Sequence, residues 1–579
     1  MKRFVLLNIF FFSVLSLFAQ KNADSYYPTN NAENVNPDVQ LQITFSDKPI
    51  IGTSGKIKIY NAQTDELVDI LDLSIPPGPL NTRTPAPYDS LVYKSIPNKL
   101  YTVYDPDTTA THIYQKKYIG GNTEADTYHF YPVLIHENTA SIHLHKSLDY
   151  NKTYYVLIDA EAISVKDGSF NGITQKTYWI FSTKKTPPSR DSKTLVVTTN
   201  GTGDFDTVQS AIDFIPDTNL VHKTIYIKNG TYNEIVYFRN KENVTFLGED
   251  REKTIISYAN NGVFNNRPMS PDPALAGGYH NLRAVFAMNN SNNIQLVNFT
   301  LRSIGEKPAQ AEALLIKGEK NIVSHVNIEG SGDALQATGT IYITDSKIQG
   351  YGDNVLGYGA VFFNNCDFVS TFGPHLWVRN TLENHGNVLL NCTLRTIGDV
   401  ETTIARAPDS GGKTYPYVEA VLINCKLEGI RPEGWGKVAN ITKDIKYWEY
   451  NSTNLDDGQL VDFSKRHTVA KKLTLESDAS VINYYMNPSN ILKGWSPLLA
   501  PIITIQPDST SAKKGETVEL NTQVIAIPEV NYQWFKNGKA IKNATTKTLK
   551  IKAKDKGEYH VEATNNYGKT TSNKVNLNH

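Results

Sequence analysis

Two aspartates carry the clearest chemical signal in the sequence. Asp333 and Asp353 stand 20 residues apart, inside two segments that superpose without a gap, Ser331–Gly339 and Tyr351–Gly359. Gly332 falls on Gly352, and Gly339 on Gly359. If each segment belongs to one turn of a repeating coil, the two carboxylates occupy the same point on neighbouring strands, about 4.8 Å apart. Carboxylates that close cannot both ionise easily. One pKa rises and the other stays low, which separates an acid from a nucleophile or base. Repeated Gly-Asp turns, each Asp capping its own turn, give the same spacing, so the pair by itself leaves catalysis and turn repetition both open.

The coil that must position them is visible as a repeat. The tetrapeptides starting at Asn298, His325, Asp345, Asn365, Asn391 and Asn424 share a polar first position, a small or apolar second and an apolar fourth. They start 27, 20, 20, 26 and 33 residues apart. A strand-like unit with a period near 20 and variable insertions is the pattern of a solenoid, and strands make it a parallel β-helix. The three cysteines, Cys366, Cys392 and Cys425, all occupy the second position. They are expected to stack inside the coil as small apolar residues. With only three, neither a disulfide framework nor a paired CxxC metal site is available.

The chain has 579 residues, with 58 Lys+Arg against 58 Asp+Glu, a balance that argues against a generic nucleic-acid binder. Lys2 and Arg3, an apolar run from Phe4 to Phe18 and then Ala19-Gln20 read as a secretory signal peptide over 1–20. The protein is therefore expected to be secreted, periplasmic or at the cell surface, with no membrane span in its mature form. Residues 21–187 alternate apolar and polar, as in Val39–Phe45, Tyr154–Ile158 and Thr177–Phe181, which predicts an all-β sandwich; the segment resembles the bacterial Ig-like modules at the start of secreted enzymes. His143 and His145 are expected to be exposed on a strand of it, and Lys184–Pro188 to be a linker. Residues 188–500 hold the solenoid. Residues 501–579 read as a second Ig-like sandwich, with a strand at Val518–Leu520, a central Trp534 and a tyrosine corner at Tyr559. Thr522 and Val561 stand where such domains often carry a disulfide. This module has 12 Lys, no Arg and 7 acidic residues, a net charge of +5. It is expected to be a solvated spacer, with an acidic polysaccharide as the alternative partner.

Over residues 194–499 the sequence resembles the pectin methylesterases. Val196–Ile212 is similar to their opening, Gly230-Thr231-Tyr232-Asn233-Glu234 to their GxYxE motif, and Gln310-Ala311-Glu312-Ala313-Leu314 to QAxAL. Gly332-Asp333-Ala334-Leu335 falls on QDTL, and Asp353 with Gly357 on DFIFG, followed by Phe363–Cys366 on a QNC element. Ile404–Pro408 falls on LGRPW, Pro432–Trp435 on PxGW, and Glu449-Tyr450 with Trp495-Ser496-Pro497 on the family's ending. The elements occur in order. The resemblance implies a right-handed parallel β-helix that removes methyl esters from polygalacturonate without metal or other cofactor. It implies Asp353 as nucleophile, Asp333 as general acid and base, Gln310 as oxyanion donor and Arg406 as the residue that orients the nucleophile. The implied partner is a methylated acidic polysaccharide of plant type, and a monomer is expected.

Two departures concern the substrate. Gly332 replaces the family's second glutamine, so one oxyanion donor is missing. Gln336 is near, but its repeat equivalent is Leu356, which suggests that it points inside. Pro408 stands where the family has a sugar-packing tryptophan, for which Trp377 or Trp435 could substitute. His375, Arg379 and His385 could line the site or simply be loop residues. The competing functions are a β-helix hydrolase or lyase acting on acidic polysaccharide, since two carboxylates at about 5 Å also suit a retaining glycosidase, and a non-catalytic glycan-binding solenoid. Asp409-Ser410-Gly411-Gly412 resembles a serine-protease string but lacks any supporting context.

Overall fold

The computed structural model describes residues 23–78, 114–120, 127–166, 168, 170–262, 264–265, 282–304, 310–410, 412–511, 513, 515–552 and 555–578. The signal peptide expected over residues 1–20 lies outside these residues. Among the described residues, no helix is long and apolar enough to cross a membrane.

From Thr194 onward two long sheets dominate, one of 16 strands and one of nine. Every pairing within them is parallel, each strand bonding to its counterpart in the next coil; Leu314–Ser324, for example, pairs with Leu335–Thr344, which pairs with Val355–Gly357 and Ala360–Asn364. This is a parallel β-helix. The sequence repeat is its register: Leu301, Ile328, Ile348, Phe368, Leu394 and Leu427 are partners along one ladder. All six are buried. The polar first position has a conformational cause. Asn298, His325, Asp345, Asn365, Asn391 and Asn424 all adopt φ between 51° and 65°, a region in which Asn and Asp are enriched because their short polar side chains bond locally. Side chains at this position also bond between coils, Asn365 Nδ2 to Asp345 Oδ1 at 2.6 Å and, from the next coil's Asn451 at φ 54°, Nδ2 to Asn424 Oδ1 at 2.9 Å. Cys366, Cys392 and Cys425 are free and buried in the adjacent interior slot.

The start of the solenoid explains two of the sequence motifs without chemistry. Thr207 caps the helix Val208–Phe214. Glu234 accepts the backbone N–H groups of Val208 at 2.8 Å and Gln209 at 3.0 Å, so its carboxylate also closes the helix N-terminus. Tyr232 donates to the Val197 carbonyl at 3.1 Å.

Among the described residues, two larger sheets and two two-stranded ones precede the solenoid. One of the larger sheets contains Ser25–Tyr27, Leu41–Thr44, Thr139–Ile142 and Val133–His136; the other larger sheet contains Ala32–Val35, Ile180–Thr183, Thr153–Ile158, Lys56–Asn61 and Leu67–Asp72. They form a sandwich whose core is continuous with that of the solenoid. Polar contacts join the two as well: Asp206 accepts from Asn36 Nδ2 at 2.6 Å and from the Tyr27 hydroxyl at 3.1 Å, and Asp38 accepts from Thr207 N–H at 2.8 Å. The histidine expectation is corrected here. His143 and His145 are both buried. His145 Nδ1 lies 2.7 Å from Asp69 and Nε2 lies 3.0 Å from Gln115. His143 is pushed down to about 3 by burial, with nearby Lys117 acting in the same direction.

Beyond Leu499 the strands are antiparallel, apart from Thr510–Ser511 beside Val575–Asn578. Trp534 is fully buried there and Tyr559 donates to the Asp555 carbonyl, the tyrosine corner. Thr522 and Val561 are both buried and hold their places by packing, Thr522 also donating to the Ile505 carbonyl at 2.8 Å.

Candidate active site

The register brings the two aspartates together. Leu335 is the partner of Val355, so Asp333 and Asp353, each two residues earlier, occupy the same slot of adjacent coils. Asp353 is held at φ 49°, and its N–H donates to the Pro374 carbonyl at 2.6 Å. Its carboxylate receives a two-pronged bond from Arg406: Nε reaches Oδ1 at 2.8 Å and Nη2 reaches Oδ2. A planar guanidinium matches a carboxylate in this way and fixes its plane.

Arg406 reaches Asp353 because of the ladder on which it stands. Leu335, Val355, Leu376 and Ala405 pair in sequence and are buried in the core. Side chains alternate across a strand, so the next ladder, Gln336, Leu356, Trp377 and Arg406, points to the opposite face. This corrects the expectation that Gln336 points inside. Gln336 lies on the same outer face as Arg406. Trp377 lies against two cations, the Arg406 guanidinium 4.5 Å and that of Arg379 4.0 Å from its ring centre. Arg379 also faces the Tyr358 ring at 5.6 Å.

Asp333 has a different environment. Burial pushes its pKa up to about 8, the negative charges of Glu312 and Asp353 act in the same direction, and Arg283 and Arg379 oppose them. It is therefore an acid that still holds its proton near neutral pH. Gln310 is exposed, and its side-chain oxygen accepts from Arg283 Nη1. An arginine can only donate, so the oxygen must face Arg283 and the amide NH2 points away from it.

Three of the sequence-derived site residues are placed elsewhere. Trp435 is fully buried, stacked on Tyr447 with ring centres 4.4 Å apart, and donates to Glu449 at 2.8 Å. It is a core residue and offers no face to a sugar. His375 is also fully buried, edge-on to Phe368, and burial pushes its pKa down to about 3. Buried in this way, it does not line the site. His385 bonds to Glu419 at 2.6 Å and Tyr484 at 3.1 Å, in a cavity of about 520 Å³ lined by Asn380, Tyr417, Lys446 and Trp448. Ser410 closes a tight turn with Lys413 and has no catalytic partners around it among the described residues. The sequence reading missed Arg283 and the role of Glu312. The available signal was a charge inside the otherwise apolar run Ala311–Leu315.

A parallel β-helix with an arginine-clamped carboxylate beside a proton-holding one on its outer face has the parts of a covalent hydrolase. The pectinesterase family model matches residues 194–485, half of the chain, and an immunoglobulin domain model matches residues 500–565. The chain belongs to the pectinesterase family, whose members are carboxylic ester hydrolases. Among its relatives, Pectinesterase QRT1 of Arabidopsis thaliana is 26% identical over 308 residues, covering 50% of this chain and 77% of that one. Probable pectinesterase 8 of the same plant is 28% identical over 327 residues, covering 52% and 77%. The solved pectin methylesterase from carrot aligns with a TM-score of 0.44 and 21% identity, covering 53% of this chain and 95% of that one.

Proposed function

We propose that the protein is a secreted enzyme that hydrolyses methyl esters of galacturonate residues in pectin, releasing methanol and pectate. The observation that carries this reading is the Arg406 clamp on Asp353 with Asp333 in the adjacent coil. In the proposed sequence an Asp353 oxygen attacks the ester carbonyl. The carbonyl oxygen becomes an oxyanion that accepts from the Gln310 amide. Asp333 gives its proton to the departing methoxide, leaving methanol and an acyl-enzyme anhydride. Asp333, now a carboxylate, takes a proton from water as that water attacks the anhydride. Galacturonate leaves, and both aspartates return to their starting states. Gln336 is a second amide on this face, three residues beyond Asp333, and is proposed to take the place of the glutamine lost at Gly332. Trp377 and Arg379 are proposed to line the sugar path. The two sandwiches are proposed to flank a catalytic solenoid spanning 188–500.

The test is incubation with methylated pectin and, separately, with demethylated polygalacturonate. Methanol from the first and no chain cleavage of either is expected. New reducing ends would indicate a hydrolase, absorbance from an unsaturated product a lyase, and no product at all a binding protein. Because the acid must hold its proton, the rate should fall as pH rises through about 8, the value to which burial pushes Asp333.

Arg406 gives a second test. Removing the planar fork leaves the nucleophile's carboxylate unoriented, so Arg406→Ala should lower the rate on the order of 10²-fold or more. Arg406→Lys keeps a charge without the planar fork, so it should also lose rate, though less. An Arg406→Ala enzyme with unchanged rate would remove Arg406 from the reaction.

A further inference from the structure

The slot that holds the two aspartates continues into a third coil. Leu314, Leu335 and Val355 are successive register partners, and the residue two positions before each is Glu312, Asp333 and Asp353. Three acidic side chains therefore stand in one row, a coil apart. Each end of the row is clamped by an arginine. Arg406 holds Asp353. Arg283, which precedes the strand Phe286–Asn289 one coil earlier, donates from Nε to Glu312 Oε2 at 2.5 Å and from Nη2 to Oε1. The same guanidinium donates from Nη1 to Gln310 and lies 3.6 Å from Asp333. The Glu312 side chain is 0% exposed and that of Arg283 8%.

We propose that Arg283 and Glu312 are a buried positioning unit for the esterase reaction: Arg283 fixes the Gln310 amide, and Glu312 neutralises Arg283 so that Asp333 keeps the proton it donates. The inference rests on the catalytic reading of Asp333 given above. An arginine is needed behind Gln310 to turn the amide NH2 outward, yet an arginine 3.6 Å from Asp333 would by itself draw that carboxyl into an ion pair. Glu312 takes up the guanidinium on its two-pronged edge and adds a negative neighbour on the second side of Asp333. Asp333 is then the one member of the row with a carboxylate on both sides. The charged groups that face it are Glu312 and Asp353, which raise its pKa, Arg283 and Arg379, which lower it, and Arg406 beyond Asp353. A purely structural role would not require a charge here. Buried ion pairs are costly to desolvate and are commonly replaceable by apolar residues, and the neighbours Ala311, Ala313 and Leu314 are all buried apolar residues.

The experiment uses the full chain and measures methanol release from methylated polygalacturonate across pH, with thermal melting to confirm folding. Glu312→Gln removes a charge that raises the acid and frees Arg283 to pair with Asp333, so both effects have one sign. The alkaline limb should move down by about 1–3 pH units, and the peak rate should fall as the limbs converge. The double variant Arg283→Met/Glu312→Met leaves no unpaired buried charge and carries the test if the single variant fails to fold. It should shift the alkaline limb less, because opposing influences leave together, but should lower kcat about 10²–10³-fold with little change in KM, as expected for an unanchored oxyanion donor. A folded Glu312→Gln enzyme with an unmoved alkaline limb, or a double variant with wild-type kcat, would overturn the proposal. Asp333→Asn, run alongside, separates the two levels. If it keeps its rate, the catalytic reading fails and the pair's role with it; if it is inactive while Glu312→Gln is silent, only the pair's role fails.

Discussion

Asp353→Asn is expected to lower methanol release at least about 10⁴-fold, the scale seen when the attacking group of a covalent hydrolase is removed. The fold should be unaffected. Asp353 is at φ 49° in a turn, a conformation that asparagine adopts as readily as aspartate. The amide fills the same volume, and its oxygen can still accept one bond from Arg406. The melting temperature should therefore stay close to that of the wild type while turnover disappears. An Asp353→Asn protein that releases methanol at near the normal rate would move the nucleophile to another residue.

Asp333→Asn is expected to cost about 10²–10⁴-fold on methyl esters, the usual contribution of a positioned acid–base group. Its effect should depend on the leaving group. Methoxide needs a proton to depart, whereas a phenoxide leaves without one. With a phenyl ester of a galacturonate oligomer, acylation by Asp353 should largely recover. Deacylation should not, since the group that activates water is still missing. The expected trace is a burst of about one phenol per enzyme followed by a slow phase, with the acyl-enzyme visible as added mass. Equal losses on methyl and phenyl esters, with no burst, would mean that Asp333 does not act by proton transfer in either half-reaction.

Much of the solenoid was legible in the sequence because its physics is local and repeated. Each coil needs a residue that accepts positive φ, a small buried one and an apolar one, and the tetrapeptides from Asn298 to Asn424 state those demands in order. The 20-residue offset of Asp333 and Asp353 was readable for the same reason, since one coil's length sets the register of the next. Burial was harder to read. Trp435 and His375 are residue types that could serve a sugar site as well as a core, and only the packing around Tyr447 and Phe368 decides for the core. His143 and His145 alternate like exposed strand residues, yet the fold covers both.

The sequence alone determined the coil repeat, the interior slot of the three cysteines and the pairing of two aspartates, all consequences of neighbouring residues and a constant period. The tertiary structure decided what surrounds that pair. Gln336 shares an outer ladder with Arg406, and Arg283 meets Glu312, Gln310 and Asp333 from a different coil. The Arg283 contacts join residues 27 to 50 positions apart, across insertions of unequal length that no period predicts. The charge on a carboxylate depends on what lies within a few ångströms of it and how much water is excluded, and in this protein those neighbours are brought together only by the stacking of coils.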